Sequence, residues 1–324
     1  PTNKTTTILI VGAGIGGLSF YHSVRKNLGE KFNVKIFERE TSSNDRWQGY
    51  NIYLHRKGVT SLFYCTPPEI QARFPEAMPD PTPSEYHTSL LTDHIGRRLL
   101  HKPHQKTKNV YEIEPLKHDY AGIVSYRNVL REVLLEGVDI QWGKKCVGYE
   151  ESDDGVWALF ADGTREFGDL LIGADGINSP IRKQKVPNLE SFDPVVTSVT
   201  VDIAIPNNLS NQLMGTIAYI YPTRFDIKDN ISIDDNDLES IIKHTISRIR
   251  QLRPPCELTD LLIELFSLAQ FSYLDKKCPY NPPRRRQFID VDPLSVSSWK
   301  NDRIVLLGDA AHAMNPMLGL GLYY

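Results

Sequence analysis

The chain has 324 residues, 37 basic and 40 acidic side chains and a formal net charge of −3. At about 150 residues per domain this is two domains' worth, enough to bury a core without staples. The balanced charge offers no basic field for nucleic acid. No apolar run approaches the roughly 20 residues needed to span a bilayer. Cys65, Cys146, Cys256 and Cys278 lie far apart, with no C-x-x-C pair, which argues against a disulfide framework or a thiolate metal site. Scattered cysteines and a polar start, unlike a signal or transit peptide, fit a reducing, cytoplasmic location.

Thr7 to Val11 is a short β-branched run of the buried-strand type. A glycine-rich turn follows, then a helical stretch from about Gly16 to Asn27 and a second strand at Asn33 to Phe37. Strand, helix and strand within about 30 residues predict a βαβ unit in a parallel sheet. Trp47 to Gln105 is less regular, with prolines that break any long helix. Val129 to Leu135 carries helical apolar spacing. Val156 to Ala161 and Thr164 to Phe167 flank Asp162-Gly163, a hairpin signal, and Asp169 to Gly173 is another buried-strand run.

After Pro187 the texture changes. Val195 to Ile205 alternates as a strand, with Gly215 to Tyr221 a candidate partner. Asp226 to Asp237 reads as an acidic loop, and Leu238 to Leu252 as an amphipathic helix with Asp237 as N-cap and Pro254-Pro255 as its stop. Leu261 to Ala269 predicts a further helix, and Pro279 to Arg286 a proline-rich basic connector. Arg303 to Gly308 returns to the buried-strand style. The simplest organisation is one nucleotide-binding domain, residues 1–185 and 288–324, interrupted by an insert, residues 186–287.

Three motifs carry the chemistry. The first is G-x-G-x-x-G at Gly12, Gly14 and Gly17. Gly12 permits a tight turn, Gly14 lets a pyrophosphate approach the backbone, and Gly17 lets helix and strand pack closely. Glu38 follows 21 residues after Gly17, at the end of the second strand, where a carboxylate accepts ribose hydroxyls. The alternative is a glycine-rich turn beside an unrelated surface glutamate. Arg39 is either a phosphate or adenine contact or a solvated arginine. The second motif runs from Gly173 through Asp175-Gly176 to Arg182, a strand leading into an Asp-Gly turn and a short helix. An Asp-Gly turn is common, and alone it specifies little. The third runs from Gly308 to Gly321, with Asp309 emerging from a buried strand and Gly319 and Gly321 opening a helix.

In this order and spacing the three motifs resemble the class A FAD-dependent monooxygenases, which include salicylate and para-hydroxybenzoate hydroxylases. Trp47 to Leu54 and the helix beginning Tyr126-Arg127 also fit, and the likeness is to fungal and actinobacterial secondary-metabolism members. The resemblance covers residues 7–185 and 299–322, and the insert poorly. It implies a Rossmann-like α/β FAD-binding domain interrupted by a smaller α+β substrate domain. By that resemblance Gly12, Gly14 and Gly17 hold the FAD pyrophosphate and Glu38 the adenosine ribose. Gly49 lies beside the flavin or its chain, Arg127 contacts FAD, and Asp175 is linked to both FAD and NAD(P)H. Asp309 bonds the ribityl or ribose hydroxyls, and Gly319, Gly321 and Leu322 face the flavin pyrimidine edge. NAD(P)H would reduce the flavin, oxygen would form a C4a-hydroperoxide, and one oxygen would pass to an aromatic or polycyclic small molecule.

Tyr219, Tyr221 and Arg224 are candidate substrate contacts, against the commoner reading of tyrosines packed in a sheet. His101 and His104 bracket Pro103, so no metal site is expected there. The chain stops at Tyr324, where family members continue, and the C-terminal part reads as truncated. Other oxidative chemistry on the same fold, and an inactive flavin-binding remnant, stand as alternatives. A plain NAD dehydrogenase is disfavoured, because it accounts for the first motif and not for Asp309 to Gly321.

Overall fold

The computed structural model describes residues 5–43, 45, 51–77, 90–101, 122–187, 195–206, 214–230, 232–269, 283–290, 299 and 302–312. The chain divides into two compact units. The first comprises Pro1–Met78, Ile113–Pro194 and Ile289–Tyr324, and the second Pro79–Glu112 and Val195–Phe288. In chain order the first unit opens with β1 (Thr6–Val11), α1 (Ile15–Leu28), β2 (Phe32–Phe37), β3 (Asn51–His55), α2 (Arg56–Cys65) and α3 (Pro68–Gln71). A hairpin of the second unit, β4 (Leu90–Thr92) and β5 (Arg98–His101), interrupts it. The first unit then resumes with β6 (Gly122–Tyr126), α4 (Arg127–Leu135), β7 (Ile140–Gln141), β8 (Cys146–Ser152), β9 (Gly155–Phe160), β10 (Arg165–Gly168), β11 (Leu170–Gly173) and α5 (Pro180–Lys185). The second unit continues with β12 (Val195–Pro206), β13 (Met214–Pro222), α6 (Arg224–Lys228), α7 (Leu238–Leu252), α8 (Glu257–Ser267) and β14 (Arg284–Asp290), and β15 (Ile304–Leu306) belongs to the first.

The first unit is built on a five-stranded sheet in the order β15-β11-β1-β2-β7, with every neighbouring pair parallel. Apolar β-branched runs make it: Ile8 to Val11, Leu171 and Ile172, and Ile304 are buried, as strands covered on both faces require. On one face lies the antiparallel sheet β10-β9-β8, and Leu9, Val156, Ala158, Phe160, Leu171 and Leu306 form a shared core. α1 and α4 pack together, and the buried His22 Nε2 donates to the Leu134 carbonyl at 2.7 Å. From β1 the chain crosses to β2 on one side, while β11 lies on the other. In open α/β sheets, ligands bind beyond the carboxyl ends of the strands at such a reversal.

The second unit carries a three-stranded sheet, β13-β12-β14. Ile241, Ile242, Ile249 and Phe266 of α7 and α8 form its core cluster, with Ile217 and Tyr219 of β13 packed against it. Asp237 caps α7 by accepting the Ser240 N–H at 3.1 Å. Two readings need correction here. Arg284 to Arg286 do not form a connector; they begin β14, whose hydrogen-bonding partner is β12. Residues 79–112 also group with the second unit, not the first. Arg253 Nη2 donates to the His94 carbonyl at 2.6 Å, which ties the β4-β5 turn to the segment between α7 and α8.

Candidate functional site

The three motifs meet at the carboxyl ends of β1, β11 and β15. Gly12 leaves β1 at φ +105°, and its N–H donates to the Phe37 carbonyl at 2.8 Å. A Cβ there would stand 2.3 Å from the carbonyl oxygen of Ala174, so the first and second motifs touch backbone to backbone. The Ala174 N–H donates to Val11 O at 2.8 Å, and the Leu307 N–H to Gly173 O at 2.9 Å. Leu307 also packs where a side chain on Gly16 would begin, 4.0 Å away. Segments nearly 300 residues apart in sequence thus share one crevice edge.

The first motif has the form a dinucleotide needs. A Cβ on Gly14 would meet nothing within 4 Å, so that face of the turn is open. Gly14 is also the N-cap of α1, with no side-chain hydrogen bond closing the helix. Unpaired N–H groups and about half a positive charge therefore lie at this end. An anionic pyrophosphate fits such a site.

Asp175 follows β11, and Gly176 turns the chain at φ +84°. Both carboxylate oxygens of Asp175 are buried and make no well-formed hydrogen bond among the described residues, although Ser179 lies near. Burial raises its carboxyl above the ordinary range, against the opposing pull of Ser179 and Arg182. A buried carboxylate left in this state fits a polar group brought by a ligand. Asp309 sits past β15, where Gly308 turns at φ +61° into a short 3₁₀ turn. Its side chain is open to solvent, yet the protein crowding this recess raises its carboxyl, while His312, Arg127 and Arg182 oppose the rise. Arg127, the first residue of α4, is therefore within electrostatic reach of Asp309. The residues present fit FAD: an open glycine turn on an uncapped helix, then two acceptors at neighbouring strand ends.

Glu38 stands at the end of β2, 8% exposed, and is more heavily engaged than its motif suggests. Oε2 accepts the Ala13 N–H at 2.8 Å, and Oε1 accepts the Arg39 N–H at 2.8 Å. Arg39 itself is exposed. Two arginines were given no role by the sequence reading, although Arg182 ends the second motif. Arg131 is 6% exposed and bonds the Ala13 carbonyl, Glu40 and Ser43. Arg182 is 2% exposed, and its Nη1 donates to the carbonyls of Asp309 and Ala310 at 3.2 Å each. Its Nη2 reaches the Ile177 carbonyl. Gly49, Gly319, Gly321 and Leu322 lie outside the described residues.

The substrate-contact reading of the second unit is altered. Tyr221 is 1% exposed, and its hydroxyl donates to Asp226 Oδ2 at 2.9 Å. Burial and the facing Asp226 carboxylate raise its phenol well above the ordinary range. Burial also acts to raise Asp226, but the hydrogen bonds from Tyr221 and Arg248 outweigh it and leave that carboxyl low. Tyr221 is thus a core residue already committed to a buried ion cluster. Tyr219 is half-buried with its ring edge on Phe266, 6.5 Å between centroids, and Arg224 is exposed at the start of α6. Tyr221→Phe is expected to cost about 1.5–3 kcal/mol, the worth of a hydrogen bond to a charged acceptor. A denaturant midpoint checks this. A variant of wild-type stability with a raised substrate KM would restore the substrate-contact role.

An α/β flavin-binding enzyme is the class that this crevice defines. The family model described as "FAD binding domain" matches residues 82–323, and the chain belongs to that family. It is an FAD-dependent monooxygenase, an oxidoreductase. It is 29% identical to the FAD-dependent monooxygenase thnD of Trichoderma harzianum, over 98% of this chain and 79% of the relative. It is 24% identical to the FAD-dependent monooxygenase phnB of Penicillium herquei, over 99% and 79%. The crystal structure of Klebsiella pneumoniae HpxO complexed with FAD and uric acid shares the fold, with a TM-score of 0.65 and 19% identity over 98% of this chain and 76% of that one. Among the described residues no helix is long and apolar enough to cross a membrane, and no group of three or more His, Cys, Asp or Glu could hold a metal.

Proposed function

We propose that this chain uses NAD(P)H and O2 to hydroxylate or epoxidise an aromatic or polycyclic small molecule in secondary metabolism. The observation that carries the reading is the meeting of Gly12, Asp175 and Asp309 at one sheet edge, with α1 uncapped beside them. The fungal monooxygenases thnD and phnB support the metabolic setting. The uric acid bound by HpxO supports a flat, electron-rich ring as substrate. The free thiols of Cys65, Cys146 and Cys256 fit a cytoplasmic setting.

Bound FAD, once reduced, supplies the activation of oxygen; the protein supplies binding, orientation and electrostatics. The α1 N-terminus and the Gly12–Gly17 turn hold the pyrophosphate. Glu38, with Arg39 beside it, takes the adenosine ribose. Asp309 accepts hydroxyls of the sugar chain, with Arg127 balancing its charge. Asp175 lies where FAD and NAD(P)H both present polar groups. Gly49, Gly319, Gly321 and Leu322 complete the flavin side, on the family resemblance. The test is turnover under labelled dioxygen. The reading expects one labelled oxygen atom in the product, with NAD(P)H consumed. Unlabelled product would replace oxygen insertion by another oxidation on the same fold.

A further inference from the structure

Two acidic residues close the end of β2, and both are buried: Glu38 and Glu40 are each 8% exposed. Two carboxylates in so confined a place require a cation. Arg131 of α4, 91 residues away from Glu40 in sequence, provides it. Its Nη1 lies 3.1 Å from Glu40 Oε2 and its Nη2 3.6 Å from Glu38 Oε2. The guanidinium also rests over the Trp142 ring at 5.7 Å. A planar fork can serve several acceptors at once, which a point charge on a flexible stem cannot.

The remaining donor acts on the glycine turn. Arg131 Nε donates to the Ala13 carbonyl at 2.8 Å, while Glu38 Oε2 accepts the Ala13 N–H at 2.8 Å. The ion pair therefore grips two successive peptide planes, Gly12–Ala13 by its N–H and Ala13–Gly14 by its C=O. In a trans peptide the C=O and the following N–H point in opposite directions. With the Ala13 carbonyl turned to Arg131, the Gly14 N–H is turned away from it. That is the N–H at the open position of the turn.

We propose that Arg131 is a positioning residue for the cofactor's pyrophosphate: by holding the Ala13 carbonyl it fixes the direction of the Gly14 N–H, and by pairing with Glu38 it holds the adenosine carboxylate in register. The role rests on the FAD-binding reading of this turn. Arg131 does not touch the cofactor; it acts through the backbone of Ala13 and through Glu38.

The experiment uses the full chain, stripped of flavin, with binding of FAD and of ADP measured separately. Arg131→Met is expected to weaken both ligands by the same factor, about 10- to 100-fold, the range over which outer-shell partners act at preorganised sites. Equal losses place the effect on the adenosine-pyrophosphate half. Arg131→Lys keeps the charge but not the fork, and is expected to recover part of the affinity. Glu38→Gln combined with Arg131→Met is expected to lose less than the product of the single losses, because the two groups act as one clamp. A folded Arg131→Met variant binding FAD within twofold of the native chain overturns the proposal, as does loss of FAD with ADP retained. Should Arg131→Met fail to fold, Arg131→Lys decides: native affinities overturn, and a matched loss of FAD and ADP supports. A native chain that takes up no FAD overturns the underlying reading as well, and is told apart by being blind to all substitutions.

Discussion

Gly17→Ala is expected to abolish FAD uptake and to cost about 3 kcal/mol of stability. The added Cβ would stand 2.1 Å from the Gly12 carbonyl oxygen and 3.3 Å from Ile10 Cγ2. The closest obstacle is backbone, so no side chain can swing aside to relieve it. Either α1 moves away from the turn or the turn opens, and both spoil the alignment of helix end and crevice. Overpacking a core by a methyl group costs about 1–3 kcal/mol, and a backbone obstacle belongs at the top of that range. Gly14→Ala separates folding from binding. The structure leaves free space there, so the flavin-free chain is expected to melt like the native one while FAD affinity falls. Thermal melts of stripped protein together with flavin titrations check both. Gly17→Ala with native melting and full flavin content would remove the close approach as the reason for that glycine.

This part of the molecule was legible in the sequence because its signals are local. A β-branched run, three spaced glycines, a helix and a second strand follow one another within 40 residues. Asp309 was legible because it follows a buried apolar strand, and strand ends in a parallel sheet gather at one edge, whereas Asp175 was singled out only by the family resemblance. The rest depends on distant partners. β14 opens on three arginines directly after Pro282-Pro283, a stretch that does not read as a strand; its hydrogen bonds come from β12. Tyr221 looks like any tyrosine on a half-wet strand until its hydroxyl meets Asp226, which Arg248 holds from the other oxygen. Arg131 reads as one more charged helix residue. Its signal lay elsewhere, in two glutamates ending a strand whose neighbouring side chains are apolar. Such a pair demands a counter-charge from outside the segment, and sequence alone does not say which residue brings it.

Arg182→Met is expected to cost about 3 kcal/mol and to take most of the bound flavin with it. Arg182 joins main chain to main chain. It is a buried cation whose hydrogen bonds go to three main-chain carbonyls, those of Ile177, Asp309 and Ala310. It therefore fastens the turn after β11 to the turn after β15, the two loops that carry Asp175 and Asp309. Burial lowers its pKa, and the nearby Asp175 and Asp309 charges offset that cost only in part. Removing the charge thus returns some desolvation energy. Against this gain stand three carbonyls that lose their donor, one of them buried and two partly buried, with a buried unsatisfied carbonyl costing about 1–3 kcal/mol. The losses win, and they fall on a fold whose whole margin is about 5–15 kcal/mol. Asp175 loses a cation that holds its carboxyl down, so its carboxyl rises further. Asp309 loses the anchor of its backbone, so the contact to the sugar chain proposed for its side chain is expected to weaken. Excess FAD at about 100 times its dissociation constant stabilises a native site by about 2.7 kcal/mol; the variant is expected to gain much less. Arg182→Lys should fall between, because an ammonium on a flexible stem does not reach three carbonyls together. Denaturant midpoints with and without FAD measure every term, and a variant with native midpoint and native flavin gain would show that the two acidic loops are held by something other than Arg182.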